Sequence, residues 1–187
     1  MEDETVCVYE EEYEYGSITC PLHLSSTFLL NDEKYKKMKE GKAREDFIYS
    51  RLSNPTVKAL EKKFAILEKA DDSLAFSSGM SAIATTLLTF LRPKDELITS
   101  IDLYGGTYRF IEDELKMLGI KVRYVDCTSL EEIRNAITER TKMIFFETIT
   151  NPMLKVVDVP SIAELANEND IIFCVDAFQY ISQLFKQ

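Results

Sequence analysis

The stretch FSSGMSAI sets Ser78, Gly79 and Met80 between an apolar β-rich segment and an apolar helical one. A strand that runs straight into a helix leaves backbone N–H groups and the positive end of a helix dipole at the strand tip, which suits a phosphate. The same glycine would serve a tight turn with no ligand at all. The stretch is neither a Walker loop, since no G-K-[ST] follows, nor a G-x-G-x-x-G fingerprint. In YSRLSNPT, Tyr49 and Arg51 stand two apart on what reads as extended chain, so that a phenol and a guanidinium can point the same way. Arginine pairs bidentately with phosphate; a surface arginine beside the Asn54-Pro55 turn is the plainer alternative. Tyr104, in DLYGGTYR, precedes two glycines that allow close backbone approach, so its ring could stack on a flat ligand or simply fill a core. Asp176 closes the apolar run IIFCVD. A carboxylate there is costly unless it meets a positive or proton-donating partner, and a protonated pyridine nitrogen is one such partner.

Other residues narrow the chemistry. The single histidine, His23 in CPLHLSSTF, rules out a multi-histidine metal site and reads as structural. Cys7, Cys20, Cys127 and Cys174 show no C-x-x-C spacing, so neither a zinc site nor a disulfide framework is expected, and Cys174 reads as a small buried hydrophobe.

These residues need elements to hold them. From about position 55 the chain alternates helix-period and short β-rich segments. TVKALEKKFAILEKA predicts a helix, SLAFSS a strand, GMSAIATTLLTFL a helix and DELITS a strand. YGGTYRFIEDELKMLG reads as an amphipathic helix with a glycine stop, and KVRYVD as a strand. SLEEIRNAITER reads as a helix opened by a capping box of Ser129 and Glu132. The strand KMIFFET, the helix PSIAELANEN and the strand IIFCVDA follow. Such alternation predicts the α/β class, a mostly parallel sheet with helices on both faces. Ligands of such sheets bind beyond the carboxyl ends of the strands, which is where SSGM, DLYGG, ETITNP and DAF fall.

Ahead of this lies an arm over residues 1–52. Its first fourteen residues carry seven carboxylates, GSITCPLHLSSTF reads as extended, and KYKKMKEGK reads as a solvated basic face. Residues 53–187 form the remaining, larger domain. With 22 basic against 32 acidic residues the net charge is −10, which disfavours nucleic acid and anionic membrane surfaces and favours small-molecule chemistry. No apolar run approaches the roughly 20 residues a membrane helix needs, and the acidic start does not resemble a signal peptide, so a cytoplasmic protein is expected.

In order, YSRLSNPT, LEKKFAILE, FSSGMSAI, LYGGTYR, ETITNP and VD resemble the Cys/Met-metabolism family of pyridoxal-phosphate enzymes, which includes cystathionine γ-synthase, cystathionine lyases and methionine γ-lyase. The resemblance spans PLHLSSTF to Asp176. It implies the large domain of fold type I and pyridoxal 5'-phosphate as cofactor, with an acidic residue keeping its ring nitrogen protonated. By that resemblance Ser78, Gly79 and Met80 hold the cofactor phosphate, helped by Tyr49 and Arg51 from a neighbouring subunit. Tyr104 stacks on the ring and assists proton transfer, Asp176 pairs with the ring nitrogen, and Glu147 and Asn151 shape the site. A homodimer or homotetramer is implied, acting on a sulfur amino acid or a homoserine ester by elimination or replacement. YGGT is shared by several of these activities and does not choose among them.

The sequence departs from the family in two places. The family's Schiff-base lysine follows the aspartate at some distance in a context like S-x-T-K; Lys186 stands too close and sits in LFKQ without that motif. Where the family usually reads D-N-T-F, this chain reads DAFQ, as if one residue were dropped. The expectation is a frameshift or truncation near 177, a large domain incomplete at its C-terminus, no C-terminal domain to supply an arginine for the substrate carboxylate, and no turnover. The alternative is a non-catalytic product that binds cofactor weakly or pairs with a full-length homologue.

Overall fold

A computed structural model describes residue 5 and residues 13–178. Cys7, most of the acidic opening stretch and Lys186 lie outside the described residues. The chain divides into two compact units, Met1–Ala75 and Phe76–Gln187.

In the first unit, residues 17–30 carry no helix and a single isolated bridge, which pairs Thr27 antiparallel with Tyr49. Helix α1, Asp32–Lys39, has no buried residue. It is the solvated basic face expected there, with Lys34 and Lys37 met by Asp46, and Lys37 also by Glu33. Helix α2, Pro55–Glu68, starts where Asn54 accepts from the Thr56 N–H and Pro55 fits the first turn. It stops at Lys69, whose φ of 52° is left-handed. The extended reading of YSRLSNPT holds only as far as Tyr49. Beyond it the chain turns, with the Leu52 and Ser53 N–H groups both donating to the Tyr49 carbonyl.

The second unit opens with helix α3, Gly79–Phe90, followed by strand β1, Glu96–Ser100. Helix α4, Gly105–Phe110, continues into a π-helical turn over Ile111–Leu115, and Gly119 at φ +79° provides the glycine stop. Then come β2, Lys121–Val125; α5, Leu130–Ala136; β3, Thr141–Glu147; α6, Val159–Glu168; and β4, Ile172–Asp176. All three strand pairings are parallel and the order is β2-β1-β3-β4.

Period-two alternation along the central strands feeds two cores. Leu97, Met143 and Phe145 pack with Leu87 of α3 and with Ile111 and Leu115 after α4. Ile98, Ile144 and Phe146 pack with Ile133 of α5 and with Ile162, Leu165 and Ala166 of α6. Helices therefore cover both faces, as the unbroken apolar strands require. Phe145 and Phe146 are 1% and 0% exposed, and burial of side chains this size stabilises by about 1.5–3 kcal/mol each.

Three local expectations need correction. SLAFSS forms no strand. An extended segment becomes a strand only beside a hydrogen-bonding partner, and residues 73 and 75 are instead tied to α2, with Ser73 Oγ donating to the Glu61 carbonyl and the Ala75 N–H to Glu61 Oε1. The helix expected to run to Arg140 ends at Ala136, because Ile137 turns extended with ψ 135°. Ser129 caps that helix by accepting from the Glu132 N–H, but the box does not close: Glu132 Oε2 accepts from the Asp126 N–H instead.

Candidate functional site

The chain path prepares a crevice. The connection after β1 carries α4 over one face of the sheet, and the connections after β2 and β3 carry α5 and α6 over the other. Neighbouring strands whose connections diverge leave a gap beyond their carboxyl ends. Here that gap falls between β1 and β3. It is a cavity of about 600 Å³ whose lining includes Ser78, Gly79, Met80, Tyr104, Glu147, Asn151 and Asp176. These are the seven residues of the second unit that the sequence singles out. A more open depression of about 810 Å³ lies at the opposite, amino ends of the strands, around Lys94, Arg140 and Asp170.

One wall is the start of α3. Ser78 and Ser81 cap the helix reciprocally: the Ser81 N–H donates to Ser78 Oγ at 3.1 Å and the Ser78 N–H to Ser81 Oγ at 3.0 Å. The Gly79 and Met80 amides belong to the first turn, where no intrahelical carbonyl is in reach. A Cβ added at Gly79 would meet no atom within 4 Å, so the space before these amides is open. Met80 is steadied from behind, its sulfur accepting from the buried Thr107 hydroxyl at 3.7 Å.

Glu147 organises the floor. It is 6% exposed and divides its oxygens between two loops, Oε1 accepting from the Tyr104 N–H at 2.7 Å and Oε2 from the Asn151 N–H at 3.0 Å. Burial, with the negative charge of Asp176 adding to it, pushes its carboxyl above the usual glutamate range, while the two amides pull the other way. Asp176 is half-buried at the end of β4; its Oδ1 accepts from the Phe178 N–H at 3.0 Å, and its carbonyl accepts from the Thr148 N–H at 2.9 Å.

Tyr104 stands at the mouth, 49% exposed. Gly106 lies beneath it, and a Cβ there would stand 2.6 Å from the Tyr104 ring carbon Cε1, so the ring keeps this position only over a glycine. Asn151 begins a turn with a cis bond to Pro152. Tyr49 and Arg51 belong to the first unit, where the guanidinium lies over the phenol ring, 5.1 Å from its centroid.

The sequence reading missed several lining residues. Phe145 and Cys174 also face the cavity. They lie two positions before Glu147 and Asp176, so strand alternation alone would have found them. Cys174 is part-buried at the cavity wall rather than a wholly buried hydrophobe, and its thiol is pushed up to about 11 by burial. Ile83, Thr86 and Ile149 add to the lining and carry no motif. Among the described residues no cluster of His, Cys, Asp or Glu is arranged to hold a metal, and no helix is long and apolar enough to cross a membrane.

An apolar slot with helix amides at one wall, a carboxylate at another and a phenol at its mouth matches a flat, phosphate-bearing cation. Comparison with known proteins points the same way. Residues 4–186 match the family described as Cys/Met metabolism PLP-dependent enzyme. The L-methionine gamma-lyase of Fusobacterium nucleatum is 37% identical over 155 residues, 83% of this chain and 39% of that protein. The cystathionine gamma-synthase/O-acetylhomoserine (thiol)-lyase of Bacillus subtilis is 38% identical over 161 residues, 86% of this chain and 41% of that protein. A Campylobacter jejuni crystal structure described as an O-acetylhomoserine (thiol)-lyase, with N'-pyridoxyl-lysine-5'-monophosphate, superposes with a TM-score of 0.85 at 28% identity, over 95% of this chain and 44% of that one. The chain thus spans about two fifths of the length of the curated relatives it matches.

Proposed function

Because the chain belongs to the Cys/Met metabolism family of PLP-dependent enzymes, we propose that its cavity holds pyridoxal 5'-phosphate and that the whole protein acts on a sulfur amino acid or a homoserine ester, by elimination or replacement. The observation that carries the reading is that Ser78, Gly79, Met80, Tyr104 and Asp176 line one cavity. Bound there, the cofactor supplies an electron sink for the substrate's α-carbon.

The chain's own residues would then do the following. The Gly79 and Met80 amides, with Ser78 ordering the turn, take the phosphate. Asp176 faces the ring nitrogen and keeps a proton on it. Tyr104 covers the ring and, with its hydroxyl at the mouth, exchanges protons with the substrate. Glu147 holds the loops of Tyr104 and Asn151, which shape the slot. Tyr49 and Arg51 reach the phosphate of a second copy, so the working assembly is a homodimer or homotetramer, with residues 1–52 as the arm between copies.

A second reading concerns the 187 residues alone. No lysine is among the described residues that line the cavity. The covalent partner of the cofactor therefore comes from outside them, and we infer that this stretch holds the cofactor without turning substrate over.

Titration of the purified chain with pyridoxal 5'-phosphate, followed by cofactor absorbance, tests both readings. Saturable binding is expected, weakened at least tenfold, about 1.4 kcal/mol, when Asp176→Asn removes the charge facing the ring nitrogen. Binding that is absent, or indifferent to Asp176→Asn, would overturn the cofactor reading. Borohydride-stable labelling of one lysine, together with α,γ-elimination by the same chain, would overturn the second.

A further inference from the structure

Lys155 is absent from the cavity lining yet ties together the loops that follow β1, β2 and β3. Its ammonium lies 2.8 Å from Asp102 Oδ2 and 3.7 Å from Asp126 Oδ2. Its backbone is fixed to the turn that carries Asn151: the Lys155 N–H donates to Thr150 Oγ1 at 3.1 Å, and the Thr150 N–H donates to the Lys155 carbonyl at 3.0 Å. Asp126 is itself pinned, its N–H donating to Glu132 Oε2 and its Oδ1 accepting the Thr128 N–H and hydroxyl. Asp102, by contrast, sits in the short segment between Ser100 and Tyr104. Its N–H donates to Ser100 Oγ at 3.1 Å.

The segment 101–104 thus has two lateral ties to the β3 side. Glu147 takes the Tyr104 N–H. Lys155 takes the Asp102 carboxylate two residues earlier. Leu103, between Asp102 and Tyr104, is 5% exposed and seated in the core with Leu97 and Ile111, so the segment is anchored from below and the two ties fix its side toward β3, while Tyr104 itself is half exposed with a glycine beneath its ring.

We propose that Lys155 is a positioning residue for Tyr104: by holding Asp102 against the Asn151 turn, it keeps segment 101–104 where the Tyr104 ring faces the cavity. The role of that ring toward the cofactor rests on the function proposed above; the coupling of Lys155 to the segment does not.

The test uses hydrogen exchange followed by mass spectrometry on the whole chain, alongside its pyridoxal 5'-phosphate titration. Lys155→Met and Asp102→Asn should each accelerate exchange over 101–106 and weaken cofactor binding by about two- to fivefold, the range for one partly exposed ion pair. The double variant should do no more than either single one. Lys155→Arg should restore both readouts, and Lys142→Met, which removes a lysine at the other end of the strands, should change neither. Exchange over 101–106 that is unchanged in both single variants overturns the proposal, as does full additivity in the double variant. Accelerated exchange in a chain that binds no cofactor even as wild type upholds the coupling and overturns the cofactor reading instead.

Discussion

Glu147 and Asp176 are register partners at the carboxyl ends of the adjacent parallel strands β3 and β4, so two carboxylates stand side by side at the floor of one cavity. Their arrangements differ. Glu147 is buried and spends both oxygens on backbone amides of neighbouring loops, whereas Asp176 is part-exposed and has one oxygen on the Phe178 N–H. The first carboxylate ties together two loops around the cavity; the second is the one we propose faces the cofactor.

The pair makes stability depend on pH in a predictable direction. Burial first, and the Asp176 charge with it, hold the Glu147 carboxyl above its ordinary value. The folded chain therefore binds this proton more readily than the unfolded chain. The stability linked to it is fully present below the ordinary glutamate pKa and is lost as pH rises through the folded one. Carboxylates held below their ordinary range, Glu96 among them, act in the opposite direction, so the contribution is read as a difference: in urea unfolding across mildly acidic pH, the stability of the wild type relative to Glu147→Gln should decline as pH rises. A slope unaltered in Glu147→Gln would show that another group sets it.

The same substitution carries a cost at neutral pH. Glutamine keeps one carbonyl oxygen where glutamate has two acceptors, so either the Tyr104 or the Asn151 N–H loses its partner in a site that is 6% exposed. An unsatisfied buried amide costs about 1–3 kcal/mol. Glu147→Gln should lower unfolding stability by about that much, less whatever is regained from relief of the charge beside Asp176.

Glu96 is the opposite case, at the other end of the sheet. It is 3% exposed, and its Oε2 accepts from Arg123 Nε and the Thr138 hydroxyl, both at 2.8 Å. The Arg123 hydrogen bond holds its carboxyl below the ordinary range despite burial. Its stabilisation is present above the ordinary glutamate pKa and is lost as pH falls through the lowered folded one. Glu96→Ala should destabilise the chain at neutral pH by about 1–3 kcal/mol, the cost of stranding its hydrogen-bond partners, with the difference from wild type shrinking in acid. Denaturant unfolding at two pH values checks both parts.

The sheet was legible in the sequence because it rests on local signals, whereas Glu147 and Asn151 entered as site residues only through the family resemblance. Strand alternation, the cap at Ser129 and polar residues at strand ends all act within a few positions. What escaped depends on distant partners. SLAF reads as a strand, but its neighbours in space decide otherwise, and Glu61, 14 residues before Ala75, accepts its backbone N–H. Glu147 reads as a site residue, but its grip on Tyr104, 43 positions away, has no sequence pattern. Lys155 carries no motif, and only the folding of three loops together reveals what it holds.

Gly106 separates stability from function in a single pair of variants. A methyl at Gly106 would lie 2.6 Å from the Tyr104 ring, while one at Gly105 meets nothing within 4 Å. Both glycines are in the first turn of α4, where alanine is a better helix former than glycine by up to about 1 kcal/mol. The clash at Gly106 is with a half-exposed side chain that can swing outward, so folding should tolerate it. Gly105→Ala and Gly106→Ala should therefore unfold at or slightly above the wild-type midpoint. Only Gly106→Ala should displace the Tyr104 ring from the cavity mouth and weaken pyridoxal 5'-phosphate binding, by about 1 kcal/mol or fivefold for a lost ring contact. Equal cofactor affinity in the two variants would mean that the ring does not cover the cofactor; a large drop in stability for Gly106→Ala would mean that the ring cannot swing.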